Sequence, residues 1–201
     1  MAMPLTDIES RMVLMDSLVD EMESSDTKRL AQTVLPAIGV LFAELAAKGA
    51  CYCGVGYHLS LDGSLITSCL TVSVCDLGAN KMNPRLLLKE IVDSRGEARE
   101  SGQTEVLQID GRSMLFAEKI SELPTPQLPG ASVASTETET YQLEAIVPTA
   151  DGDAFAAIEL STPFVEHGPQ FRKMIVDMAR SIQIEPGANR QLEFRPSSLN
   201  L

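Results

Sequence analysis

Positive charge is what this chain has least of: 16 lysines and arginines stand against 28 aspartates and glutamates, a balance of −12, with two histidines and no tryptophan. Nucleic-acid affinity needs clustered cations that release counterions from phosphates, so the balance argues against a nucleic-acid partner. It disfavours an anionic membrane surface for the same reason. Also missing is any apolar run near the ~18 residues of a membrane span. The longest attempt, Ala37 to Ala47, is short and carries Glu44. The opening stretch MAMPLTDIESRMVLMD lacks the basic leader, apolar core and small-residue cleavage site of a signal peptide. Four cysteines are too few for a disulfide scaffold in a chain of 201 residues. These absences predict reduced thiols, a cytoplasmic location and one domain with decorated ends.

Thr6-Asp7-Ile8-Glu9 fits a capping box, in which the Thr6 hydroxyl serves one orphan amide and Glu9 reaches back to another. Ile8, Met12, Met15, Val19 and Met22 then recur at steps of three or four, a methionine-rich stripe on one helix face. Ser24-Ser25-Asp26 supplies the next start, and Leu30, Val34, Ile38, Leu41 and Leu45 form a second stripe. Pro36 predicts a kink in that helix, and Gly49 its end. The organisation expected is an amphipathic helix in residues 1–24, one α+β domain over 25–185 and a tail over 186–201.

From Ala50 the period of the pattern falls from 3.6 to 2, and three Asp-Gly pairs follow at Asp62-Gly63, Asp110-Gly111 and Asp151-Gly152. Asp-Gly between β-rich runs signals a hairpin, because a type I′ turn needs positive φ at both central residues. Three hairpins predict a six-stranded antiparallel sheet, flanked by helices on both faces. With Asp62-Gly63 as the two turn residues, Cys51, Cys53, Val55, Tyr57 and Leu59 oppose Val74, Val72, Leu70, Ser68 and Ile66 on an apolar face. Gly54, Gly56, His58, Thr67, Cys69 and Cys75 then share the small, polar face. Around Asp151-Gly152, Tyr141, Leu143, Ala145 and Val147 oppose Thr162, Leu160, Ile158 and Ala156. The middle hairpin, apolar on both sides in places, is expected at the centre of the sheet. Asn83-Pro84 starts one helix. Gly168-Pro169 starts another, striped by Phe171, Met174, Ile175, Met178, Ala179 and Ile182 and stopping before Pro186. Pro124 to Glu139 reads as a long connection.

Cys51-Tyr52-Cys53 resembles a metal-ligand pair, but in this register His58, Cys69 and Cys75 point the other way. A tetrahedral site needs its ligands within ~2.0–2.3 Å of one point, so no metal is expected. His58 lies diagonal to Cys69, where β-carbons stand up to ~7–8 Å apart, too loose for proton transfer. No third group orients the imidazole, and Cys53-Gly54-Val55-Gly56 lacks the third glycine of a dinucleotide fingerprint. The chain is therefore read as having no catalytic residues and no cofactor. Two surfaces remain. Gly54, Gly56, His58 and Cys69 form a candidate ligand face, set against tight packing as the reason for the glycines. Met12, Met15, Val19 and Met22 form a candidate partner-binding face, set against core filling.

Tyr141-Gln-Leu-Glu-Ala-Ile-Val-Pro148, then Asp151-Gly152, then Ala157-Ile-Glu-Leu-Ser-Thr-Pro163, then the segment from Phe171 to Ile184, resembles the C-terminal hairpin and helix of PsbP-like α/β/α sandwich proteins of actinobacteria. The resemblance covers the last third by motif and Ala50 to Ile184 by order of elements. It implies an antiparallel sheet between helices and a non-enzymatic, protein-binding role. The expectation is thus a cytoplasmic interaction or assembly module, bound to another protein or to its own copy as a homodimer. The alternative is a small-molecule-binding protein or an enzyme using the polar sheet face. The thiols give a direct check: denatured, non-reduced protein is expected to titrate with four equivalents of thiol reagent, and two or none would mean an oxidised pair.

Overall fold

The computed structural model describes residues 2–4, 17, 24, 25, 28, 45–60, 63–78, 81–97, 102–124, 137–184 and 192–194. The Met12, Met15, Val19 and Met22 stripe, most of the two N-terminal helices and residues 125–136 of the long connection lie outside the described residues. The expected helix end at Gly49 is present. Leu45, Ala46 and Ala47 are helical, the amides of Lys48 and Gly49 donate to the carbonyls of Leu45 and Ala46, and Gly49 takes φ +82°.

One antiparallel sheet follows from the alternating runs. Its strands are β1 (Ala2–Pro4), β2 (Ala50–Leu59), β3 (Leu65–Asp76), β4 (Gln103–Ile109), β5 (Arg112–Pro124), β6 (Glu137–Pro148) and β7 (Ala154–Thr162), ordered β1-β2-β3-β7-β6-β5-β4. The six strands of the three hairpins are joined by a seventh, because residues 2–4, which lie in the 1–24 segment ahead of the expected helix start at Thr6, pair with Tyr52 to Gly54. An edge strand left bare exposes a row of backbone donors and acceptors, and β1 takes part of that row on β2. Helix α1 (Pro84–Glu97) lies on one face, where Leu88 packs with Leu115 and Ile146. A 3-10 turn (Val165–Phe171) and helix α2 (Arg172–Ser181) lie on the other, where Phe171, Ile175 and Ala179 join Tyr141, Leu143, Ala145, Ile158 and Leu160. This is an α+β fold with helices on both sides of the sheet. Among the described residues, no helix is long and apolar enough to cross a membrane.

The third hairpin has the expected register, Tyr141↔Thr162 through Val147↔Ala156. It occupies the centre, and the middle hairpin is displaced to the edge. The reason is burial on both faces: Ala145, Ile146 and Val147 are consecutively buried, as are Ala156, Ala157 and Ile158, whereas β4 is exposed from Gln103 to Gln108. The first hairpin departs by one residue. Leu59 faces Leu65, His58 faces Ile66 and Cys53 faces Thr71. Five residues, 60–64, separate the strands, closed by Ser60 N–H to the Ser64 carbonyl at 3.0 Å and Ser64 N–H to Ser60 Oγ at 3.1 Å. An odd loop in place of a two-residue turn exchanges the side-chain partners on both faces.

Asn83 Oδ1 accepts from the Arg85 amide at 2.9 Å and caps α1 as expected. Helix α2 stops earlier than expected, at Ser181. Ile182 is extended and opens β8 (Ile182–Ile184), which pairs with β9 (Leu192–Phe194) from the tail. Glu137 and Glu139, expected in a loop, belong to β6. Two glycines separate backbone conformation from space. Gly111 (φ +79°) has open space around an added β-carbon, whereas one at Gly152 (φ +65°) would overlap the Met82 carbonyl oxygen. Gly111→Ala is expected to cost about 1–2 kcal/mol and Gly152→Ala clearly more, about 3 kcal/mol or above, in a denaturant titration. Equal losses would mean that the Met82 contact is not rigid.

Candidate functional site

The register splits the candidate ligand face. Gly54, Gly56 and His58 point to the inner layer with α2, while Cys69 points to the opposite side with Val55 and Tyr57. The inner glycines make room for side chains of their own strand. A β-carbon at Gly56 would stand 2.5 Å from His58 Nε2, and one at Gly54 would stand 2.9 Å from the Tyr52 hydroxyl. His58 folds over Gly56, hydrogen-bonds with Ser68 Oγ at 2.9 Å and meets the Phe171 ring edge-on at 4.8 Å. Space that could have received a ligand is filled by the protein's own imidazole. Tight packing is therefore the reason for both glycines, with side chains rather than a helix backbone as the neighbours.

The cysteines are redistributed as well. A bulge between Ala50 and Tyr52 turns Cys51 inward, where its thiol donates to the Val72 carbonyl at 3.2 Å. Cys51 and Cys53 therefore do not share a face. Cys53 instead meets Cys69 on the outer side, beneath Leu45 and Ala46. The Cys53–Cys69 hydrogen bond raises Cys53 and lowers Cys69, and burial raises Cys51 and Cys75. All four are free thiols. Among the described residues, no three metal-ligating side chains converge.

Continuing along the outer face from Cys53 and Cys69, the hairpin presents Val55, Tyr57, Leu59 and Leu65, which are 46%, 68%, 77% and 56% exposed. They stand at two-residue spacing along β2, with Leu59 directly opposite Leu65, so they form one strip. The sequence hid this surface, because the even-loop register assigns the same residues to the core. The polypeptide between Leu59 and Leu65 was the relevant signal: two serines flanking Asp62-Gly63 can close a longer loop.

A concave feature lies between the β4 edge and α2. It is a cavity of about 320 Å³ whose walls include Leu107, Phe116, Leu143, Ile175 and Val176 and whose rim carries Glu105, Glu118 and Arg172. Arg172 Nε and Nη2 donate to Glu118 Oε2 and Oε1 at 2.7 and 2.6 Å, a two-point pair that holds Glu118 below the usual carboxylate range. Tyr141 lies diagonal to Glu118 on the same face and is 2% exposed, and its hydroxyl has no partner within hydrogen-bond geometry among the described residues, with the Glu118 carboxylate as its nearest polar influence. Burial, and then the Glu118 carboxylate, push Tyr141 up to about 12. On the other face Arg95 of α1 donates to Glu144 at 2.5 Å, and Glu159, opposite Glu144, is raised by desolvation and by the Glu144 charge. Nothing in the sequence marks this cavity, since Glu118 and Arg172 are 54 residues apart.

No family model, no curated protein and no solved structure matches the chain. The geometry thus stands by itself. The cavity offers apolar walls and a neutralised Glu118–Arg172 pair at its rim. The buried hydroxyl makes a specific expectation: Tyr141→Phe leaves stability unchanged or raises it by up to about 1 kcal/mol, because a poorly satisfied buried donor is removed, and a loss of that size would instead show a hydrogen bond to Glu118. The pair makes another. Glu118 is depressed in the folded state, so its contribution is complete above the unfolded value near ~4.3 and is lost as pH falls through the folded value. The stability difference between wild type and Arg172→Gln should therefore be largest at neutral pH and shrink in acid, as read by melts across pH.

Proposed function

We propose that the protein acts by contact, as a non-enzymatic cytoplasmic module that holds another polypeptide on the outer face of the β2–β3 hairpin. The supporting observation is the strip Val55, Tyr57, Leu59 and Leu65. Single exposed apolar residues are ordinary, but four large ones side by side mark an interaction surface. Tyrosine and leucine on a hydrogen-bonded hairpin can bind with little loss of side-chain freedom. The layered architecture accords with the PsbP-like resemblance, which implies the same kind of role. A second copy of the chain is a partner of the same class, although a charge of −12 on each copy acts against it. A small-molecule binder is the second reading. Its support is the cavity beside α2, at the lower end of the ~300–1,000 Å³ of ligand sites.

The test compares wild type with the Tyr57→Ser, Leu59→Ser double variant in affinity capture from native extract and in sedimentation. The variant is expected to keep its thermal midpoint, since exposed substitutions usually change stability by about 0.5 kcal/mol or less. A polypeptide held in fixed ratio by wild type should be lost by the variant. Equal capture by both would place the partner elsewhere and overturn the strip as its site, and a fall in the variant's stability by several times that amount would assign the strip to the core instead.

A further inference from the structure

β4 is the last strand of the sheet, and among the described residues no strand lies beyond it. Edges are usually blunted by lysine, proline, a bulge, an inward-pointing charge or short length, and of these β4 carries one, the inward-facing Glu105, which a basic partner side chain would neutralise. The segment Gln103-Thr-Glu-Val-Leu-Gln-Ile109 contains neither lysine nor proline, and it pairs with β5 from Gln103↔Glu118 to Ile109↔Arg112 without a shift. At the opposite edge the sheet has already grown by addition of a remote segment, β1 on β2. The β4 edge thus presents a regular row of backbone donors and acceptors of the kind that an extended chain completes.

The cavity lies at this edge. Glu105 and Leu107 are opposite Phe116 and Met114, so the odd residues of β4 point to the face that carries α2, and both line the cavity with Phe116, Ile175 and Val176. A strand added alongside β4 places every second side chain at the cavity mouth. Charge selects among such strands. Glu118 and Glu144 are engaged by Arg172 and Arg95, while Glu105 has no ion pair among the described residues. A second copy would bring its own −12 and its own Glu105 to the contact.

We propose that β4 takes an extended segment of a partner protein as an eighth strand, seating an apolar side chain in the cavity between β5 and α2 and a basic one beside Glu105. This site is separate from the hairpin strip and stands or falls without it.

The probe is fluorescein-labelled Thr-Lys-Val-Leu-Thr-Lys-Val, blocked at both ends, which puts Lys, Leu and Lys on one face in either direction. Two further versions carry N-methyl groups on alternate residues in opposite phases, with side chains and charge unchanged. Anisotropy with the full-length protein is expected to show binding of the parent peptide. One phase should retain that binding and the other lose at least about tenfold, because only one set of amides faces β4. Amide exchange should slow along residues 103–109. Glu105→Lys should weaken the parent peptide about tenfold without moving the thermal midpoint. Equal behaviour of the two N-methyl phases would reduce the interaction to charge attraction and overturn strand addition. So would absence of binding, unchanged exchange in β4, or protection of β4 that rises with protein concentration alone, which would assign the edge to a second copy.

Discussion

The register of β3 between its two neighbours decides which side chains meet on each face of the sheet. On the β7 side it is fixed by apolar pairs, Leu70↔Leu160, Val72↔Ile158 and Val74↔Ala156, and by the Thr162 hydroxyl donating to the Thr67 carbonyl at 2.7 Å. Those pairs put Ile66 and Val72 under Phe171 and Ile175. The inner layer above β2 is then crowded, and the strand can send only glycine, or a side chain folded along itself, into it. Gly54, Gly56 and the His58 ring meet that condition. The bulkier Val55, Tyr57 and Leu59 are directed outward as a consequence, so the exposed strip follows from the packing of the opposite face.

Helix α2 is held to the same hairpin that carries the sheet's open edge. At its C-terminal end Arg112 donates to the carbonyls of Arg180 and Ile182 at 2.8 and 3.1 Å, cations being favoured there by unpaired carbonyls and the helix dipole. Arg180 meets Asp110 in the β4–β5 turn, and at the N-terminal end Arg172 meets Glu118. Exposed pairs of this kind are each worth ~0–1 kcal/mol, against ~1.5–3 kcal/mol for burying one large apolar side chain. Burial of Phe171, Ile175 and Ile182 therefore supplies the adhesion, and the arginines set the angle. That division leaves a gap between α2 and the outer strands, where β4 contributes only exposed residues, and the gap is the cavity.

The sequence was informative where turn chemistry and pattern agreed. Asp110 and Gly111 both take positive φ, and the Asp151-Gly152 register is met pair by pair, because the four residues between Thr149 and Ala154 preserve even spacing. Asn83-Pro84 was legible because a cap is a local interaction. The first hairpin was not, because Asp-Gly does not fix loop length, and one extra residue reversed the environment of Cys53, Val55 and Tyr57. Strand order was also hidden. Which hairpin becomes central depends on burial on both faces, and a period of two in β6 does not reveal that Ala145, Ile146 and Val147 are covered together. The Glu118–Arg172–Tyr141 cluster depends on contacts distant along the chain.

The two surfaces stand five strands apart in the order β2-β3-β7-β6-β5-β4, and at ~4.8 Å per strand the separation is roughly 24 Å. Charges on exposed groups are screened over ~8–10 Å, so the acid at Glu105 does not reach the hairpin strip through solvent. Coupling through the protein would have to pass along β7 and β6. These are the most deeply buried strands, and Ala156, Ile158 and Leu160 interdigitate with little room for a second arrangement. Energetic coupling between sites is most simply carried by an element with two discrete arrangements, and among the described residues the packed centre of this sheet shows none. The strip and the edge are therefore separated by the buried centre of the sheet. If both proposed surfaces bind, a polypeptide held at one leaves the other open, an arrangement that fits joining two partners better than switching between them.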